Sequence, residues 1–251
     1  MTDALDALEQ SVAYLRSTID GMSEDQYVAS AHPTEWTVAD VMSHLGSGAI
    51  ISKRGIDDSL EGRETPPKFN ESVWDVWNAK TPHAKVTDAL DADRALLDRM
   101  LELTAEERGR YFLSIGPFRF DFDQAVRLRL GEHVFHTWDI EESFNTEATL
   151  QPEAVPFLFG NLELLLRFAA KPSGIEHTLH VRTSDPRKDF ALTQTLEVVE
   201  LDEVEGVDDF DLEIPAEAFL RLAYGRLDEE HTPAGIDPTH LAELRRVFPG
   251  F

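Results

Sequence analysis

The spacing of apolar residues changes character once along this chain, near residue 150, and that change restricts the fold to a helical portion followed by a mixed one. Before it, Leu5, Leu8, Val12, Leu15 and Ile19 recur at intervals of three and four, the stripe of an amphipathic helix that should end near Gly21. A capping-box pattern at Ser23 to Gln26 and a loop at Ser30 to Glu35, containing Pro33, follow it. Thr37 then supplies an N-cap hydroxyl and Asp40 an acidic N3 residue where Val38, Val41, Met42 and Leu45 begin a second helical pattern. A third long helix fits Pro82 to Leu103, with Val86, Leu90, Leu97, Met100 and Leu101 on one side. A fourth fits Asp123 to about Phe144, carrying Val126, Leu130, Val134 and Trp138 along one stripe. Between these, the Pro66-Pro67 pair breaks the chain ahead of an aromatic patch at Trp74 and Trp77, and Tyr111 to Phe122 reads as irregular or hairpin-like around Gly116-Pro117. Four helical segments by residue 145 predict a bundle.

After residue 150 a helix is predicted from Pro152 to Ala170. Short alternating runs at His177 to Arg182, Phe190 to Leu192, Leu196 to Val199 and Phe210 to Ile214 then read as strands of a small sheet. Pro215 at an N1 position opens a helix over Ala216 to Gly225, and a terminal helix fits Pro238 to Val247. The fold class is therefore α+β. The expected domains are a helical bundle over residues 1–148 and a smaller α+β unit over residues 149–251, with the boundary near Asn145 to Pro152. No internal repeat is visible.

The charge balance excludes whole classes of partner. Forty-eight acidic residues against 23 Lys plus Arg give a formal net charge of -25, so the averaged field repels phosphate backbones and anionic lipid surfaces. Neither nucleic acid nor a membrane is an expected partner. The acidity fits salt adaptation and a well-solvated surface equally. The absence of cysteine excludes disulfides, thiolate metal sites and a sulfur nucleophile of the protein's own, so thiol chemistry here would need a borrowed thiol. Met1 to Gln10 carries three acidic residues and no basic one, and no uncharged stretch approaches ~18 apolar residues. The expected location is the cytoplasm. The residues specify no oligomeric state.

The fourth helical segment holds the run RLGEHVFHTWD over residues 129–139. It sets Glu132 and His136 four apart, on one face and about one turn from each other, where a metal ion can bridge them. Glu and His at this spacing also commonly line a solvated face. The second helix offers a further imidazole, His44, among Val41, Leu45 and Ala49, which would aim it inward. Two histidines and one carboxylate would leave coordination places open for water or substrate, as in catalytic zinc sites. The alternative for His44 is a hydrogen-bonded core histidine.

The stretch Glu35-Trp36-Thr37-Val38-Ala39-Asp40-Val41-Met42-Ser43-His44-Leu45, followed far downstream by Glu132-x-x-x-His136-Thr-Trp-Asp139, resembles the metal-binding pattern of the mycothiol-dependent maleylpyruvate isomerase family, within the broader DinB-like group. The tail segments FLRLAYGR, residues 219–226, and LRRVFPGF, residues 244–251, are similar to that family's smaller carboxy-terminal domain. The resemblance implies a DinB-like four-helix bundle and a divalent ion, zinc by type, held by His44, Glu132 and His136. It also implies a low-molecular-weight thiol cosubstrate, mycothiol in the closest relatives, and a small electrophilic substrate. Family members commonly carry Pro-Gly before the tryptophan, where this chain has Thr34-Glu35, a departure that bears on the substrate rather than the fold.

A metal with an open place can bind such a thiol and lower its pKa so that thiolate forms near neutral pH. The thiolate would then add to a conjugated double bond and leave after rotation, an isomerisation, or remain attached, an S-transfer. Two other readings stay open: a non-catalytic metal-containing binding module and a metal-assisted hydrolase. Asp139 is expected either to orient the second ring nitrogen of His136 or to cap local backbone. Arg226 resembles an arginine that reaches the thiol or substrate carboxylates, with a helix-terminal charge as the alternative. Arg129 is expected to pair with Glu132 three residues on, with an acidic substrate as its alternative partner, and His133 to face away from the site. Trp36 and Trp138 are candidate pocket walls or core residues. His32, His83, His177, His180, His231 and His240 show no ligand spacing.

Overall fold

The computed structural model describes residues 3–32, 35–116, 118–163, 166, 170–174 and 176–250. The chain divides into two compact units, Met1–Ala148 and Thr149–Phe251.

Four long helices make the first unit: α1 (Ala4–Asp20), α2 (Val38–Glu61), α4 (Pro82–Glu102) and α6 (Phe122–Glu142), with the short α3 (Phe69–Asn78) and α5 (Ala105–Arg110) between them. Local chemistry sets where each long helix begins. Asp3 accepts from the Leu5 and Asp6 amides, Thr37 and Asp40 form a reciprocal capping box, Thr81 caps ahead of Pro82, and Asp121 forms a capping box with Gln124. These caps satisfy amides that would otherwise be left without partners. Helix α1 packs on α6 and α2 on α4, while α2–α6 and α1–α4 contacts close the four-helix arrangement. Leu8, Leu15, Ile19, Met42, Leu45, Leu96, Leu97, Phe135 and Trp138 fill the core and are fully buried.

One glycine governs how closely α2 meets its neighbours. A Cβ on Gly46 would lie 2.3 Å from Trp77 Cη2 and 2.8 Å from the Ala89 Cα, so only the missing side chain admits the indole and the α4 backbone. Trp77 belongs to α3, a helix that the sequence pattern does not announce: it buries only Val73 and Trp77, too few positions for a visible stripe, and leaves Trp74 and Val76 exposed. The predicted hairpin is present as β1 (Leu113–Ile115) and β2 (Phe118–Phe120), paired antiparallel around Gly116, whose φ of 57° suits a turn glycine. Pro117 lies outside the described residues.

The second unit carries a four-stranded sheet in the order β5-β4-β3-β6. Strands β3 (His177–Ser184), β4 (Lys188–Gln194) and β5 (Val199–Glu203) run antiparallel in sequence, and β6 (Leu212–Pro215) joins β3 in parallel. Leu179, Val181 and Thr183 of β3 and Phe190, Leu192 and Gln194 of β4 face inward at every second position. Phe190 stacks with Phe159 and Phe219, with ring centroids 5.7 and 6.0 Å away. The third strand begins later than the apolar residues suggest. Thr195 accepts from the Glu197 and Val198 amides in a turn that exposes Leu196, so pairing starts only at Val199.

Pro215 is the N-cap of α8 (Ala216–Ala223), one position ahead of the expected N1, and α9 (Leu241–Val247) starts three residues after Pro238. The expected Pro152–Ala170 helix begins with α7 (Val155–Leu158) and passes into a 3-10 turn at Phe159–Asn161; residues 164, 165 and 167–169 lie outside the described set. The fold class expected from the residues, a helical bundle followed by a small sheet-containing unit, is the one found. Among the described residues no helix is long and apolar enough to cross a membrane.

Candidate metal centre

The i,i+4 pair on α6 meets an imidazole from α2. Glu132 Oε2 lies 2.8 Å from His44 Nε2 and 3.7 Å from His136 Nε2, and one donor atom from each residue falls within 4.8 Å of the others. His44 is drawn out of the apolar stripe: its side chain is 41% exposed and turns toward Glu132 instead of entering the core. Helical geometry accounts for this, because a residue one position before the buried Leu45 is rotated by about 100° from it.

Asp139, one turn past His136, hydrogen-bonds His136 Nδ1 at 2.7 Å and is itself buried. That bond directs the other ring nitrogen, Nε2, toward Glu132, an arrangement shared by histidines that ligate metals. Burial pulls the His136 imidazole below its usual pKa, against the opposing influence of Asp139 and Glu132, and so favours the neutral ring. Glu132 combines an open surface with crowded surroundings, half of its side chain being exposed. Burial is the largest influence on its pKa and pushes upward, but the bond to His44 and the charges of His136, His44 and Arg129 outweigh it and hold the carboxyl at about 2.

Trp36 covers the imidazoles. Its ring stacks on His136 at 6.2 Å and 19° and tilts against His44 at 5.4 Å, while the two imidazoles meet edge to face at 4.7 Å. The segment before α2 fixes the indole: Ser30 and Thr37 form a β-bridge, the Ala31 amide donates to the Trp36 carbonyl at 2.8 Å, and the His32 amide donates to the Asp139 carbonyl at 3.0 Å. Thr34 lies outside the described residues, and Glu35 is exposed. Trp138 is core, its indole N–H donating to the Ala148 carbonyl.

Arg129 does not take the Glu132 partner that spacing suggests. Its guanidinium instead forms a buried ion pair with Asp93 of α4 and donates to the Leu45 carbonyl at 2.9 Å. His133 faces away from the three donors, as expected, and bonds Asp93 at 3.1 Å and Ser11 at 3.3 Å inside the bundle. Asp93 and Ser11 carry no sequence signal. Asp93 sits among the charges Asp91 and Arg94, and nothing local distinguishes it from a solvated residue. Arg226 lies in the second unit after Gly225, and its guanidinium donates to the Tyr224 carbonyl at 3.0 Å.

Two imidazole nitrogens and a carboxylate oxygen form the donor set of open zinc-type sites. A tetrahedral ion with bonds near ~2.1 Å places neighbouring donors about 3.4 Å apart. The two separations from Glu132, 2.8 and 3.7 Å, bracket that value, and all three donors lie within 4.8 Å, so the donor set suits a divalent ion.

Fold and donors together define a helical bundle with a histidine–carboxylate cluster of metal-binding type. Residues 8–141 match the family model described as Mycothiol maleylpyruvate isomerase N-terminal domain, more than half of the 251-residue chain, and the protein belongs to that family. Two solved structures are similar in fold: a crystal structure of the mycothiol-dependent maleylpyruvate isomerase, with a TM-score of 0.64, and one of a histidine-to-alanine mutant of that enzyme, with a TM-score of 0.63. Each is 14% identical to this chain, and each alignment covers 90% of this chain and 92% of the other. No curated protein matches.

Proposed function

We propose that this protein is a metal-dependent enzyme that uses a small thiol, mycothiol by family, to isomerise a small conjugated electrophile of the maleylpyruvate type. The observation that carries the reading is the convergence of His44, Glu132 and His136, within 4.8 Å of one another, in a chain that has no cysteine. These three side chains would hold the ion, zinc by donor type. When bound, the ion supplies a Lewis acid that lowers the pKa of a thiol brought in from solution.

The protein's own groups prepare the site. Asp139 holds the His136 ring so that Nε2 is the donor, Glu132 is ionised well below neutral pH, and Trp36 shields one side of both imidazoles from water. Three protein donors would leave room on the ion for an incoming ligand. In the isomerisation the thiolate sulfur bonds one carbon of the substrate double bond and the electron pair moves onto the conjugated carbonyl. The resulting single bond rotates. Collapse of the enolate then expels the thiolate and restores the double bond, with no net change in oxidation state. We place the reaction in the cytoplasm, where small thiols stay reduced.

Elemental analysis of the purified protein should find about one tightly held divalent ion per chain, and His44→Ala should remove both the ion and turnover of maleylpyruvate with mycothiol. Full metal content after that substitution would rule out this ligand set. Product that retains the thiol would identify S-transfer in place of isomerisation, and turnover with no thiol present would point to hydrolysis.

A further inference from the structure

A chain of buried polar groups runs through the bundle and touches every one of its long helices. Ser11 of α1 bonds His133 of α6 at 3.3 Å, His133 bonds Asp93 of α4 at 3.1 Å, Asp93 pairs with Arg129 of α6, and Arg129 reaches the Leu45 carbonyl of α2 at 2.9 Å. Ser11, Asp93, Arg129 and His133 are all buried.

The positions matter more than the count. Arg129 and His133 flank Glu132 on α6, and Leu45 directly follows His44 on α2. Asp93 therefore grips α6 on both sides of one candidate ligand and, through the Arg129 guanidinium, ties it to the peptide beside another. Helix α2 gives the arginine room: a Cβ on Gly48 would lie 3.2 Å from Arg129 Nη1.

Stability alone does not account for such a chain. A buried ion pair offsets its own desolvation poorly, and apolar residues of similar volume commonly serve a core as well or better. What directional bonds add over apolar packing is a fixed distance between the elements they join. A site in which His44 of α2 sits 2.8 Å from Glu132 of α6 depends on that distance.

We propose that Asp93 is a positioning residue for the metal centre, holding α2 and α6 at the separation that lets His44, Glu132 and His136 share one ion. The inference rests on the ligand reading above. It adds that an acidic residue on a helix contributing no ligand sets the affinity and geometry of the site.

The test uses Co(II) as the probe, read by titration and by its d–d absorption, with urea unfolding measured on the same proteins. Arg129→Lys keeps the charge but loses the planar guanidinium whose Nη2 serves both Asp93 and the Leu45 carbonyl, on a shorter and more flexible stem. The double substitution Asp93→Leu with Arg129→Met removes the pair and refills the core, and serves if the lysine variant does not fold. The folded variant should bind Co(II) at least ~10-fold more weakly than the wild type and show a shifted or weakened d–d band. Wild-type affinity and an unchanged band in a folded variant would overturn the positioning role while leaving the ligand reading intact. Wild-type protein that takes up no Co(II), or takes it up equally well after His44→Ala, would overturn both.

Discussion

Asp139 Oδ2 and His136 Nδ1 stand 2.7 Å apart across one turn of α6, with the carboxyl buried and the imidazole almost so. The bond commits the ring to presenting Nε2 toward Glu132. Asp139→Asn preserves the shape but replaces a charged acceptor with an amide that can turn its N–H₂ toward the ring. Metal affinity should fall ~10–100-fold with little loss of folding stability, as competition titration against a chelator would measure. Unchanged affinity would reduce Asp139 to a helix-packing residue.

Trp36 lies close enough to both imidazoles to report on an ion held between them, with ring separations of 5.4 and 6.2 Å. Among the four tryptophans of the chain, Trp74 is exposed on α3, away from the cluster in sequence and element. Co(II) should quench intrinsic fluorescence in the wild type and in Trp74→Phe, and Trp36→Phe should lose most of that quenching. Persistence of the full effect in Trp36→Phe would place the ion somewhere other than between His44 and His136.

Asp93 links the bundle to acidity. Burial alone would push its carboxyl up, but the charges of Arg129 and His133 overcome that and hold it below the ordinary 3.8. A carboxyl with a depressed folded-state pKa contributes stability that is present above its unfolded value and lost as pH falls through the folded one. Urea-unfolding free energy of the metal-free protein should therefore decline as pH drops below about 4, and Asp93→Asn should show a shallower decline there. At neutral pH the same substitution should cost about 3–5 kcal/mol, since it strands a buried guanidinium. Parallel pH profiles for the two proteins would count against this account.

Two glycines of α2 should respond in opposite directions. Gly46→Ala drives a methyl group into Trp77 and the α4 backbone, for an expected loss of about 1–3 kcal/mol by urea unfolding. At Gly55 an added methyl group would meet nothing within 4 Å, so Gly55→Ala should gain roughly 0.5–1 kcal/mol from helix propensity. A stable Gly46→Ala protein would mean that α3 and α4 yield more readily than their packing suggests.

The bundle is legible in the sequence because its helices advertise themselves twice, by apolar stripes such as Leu5 to Ile19 and by caps such as Thr37 with Asp40. Helix α3 is not, since two buried residues make no stripe, and the third strand is displaced from its expected place because Leu196 and Val198 are apolar yet sit in an exposed turn. The Glu132–His136 pair can be read from spacing on one helix. Joining His44 to it takes the family resemblance, because no local rule pairs residues on separate helices. Asp93 is invisible for the same reason: its partners Arg129 and His133 lie 36 and 40 positions away, and only the packed bundle brings them together. Spacing offers Arg129 the nearest acid along its own helix, whereas burial selects an acid on another.

The 88-residue separation between His44 and Glu132 also has a consequence for biosynthesis. At a ribosomal pace of about 5–20 residues per second, the first imidazole leaves the synthetic machinery about 4–18 s before its carboxylate neighbour. His44 offers one donor and the α6 pair two, so the full set of three donors exists only once the last long helix has docked. Cellular metal supply would then act on the finished bundle and not on the emerging polypeptide.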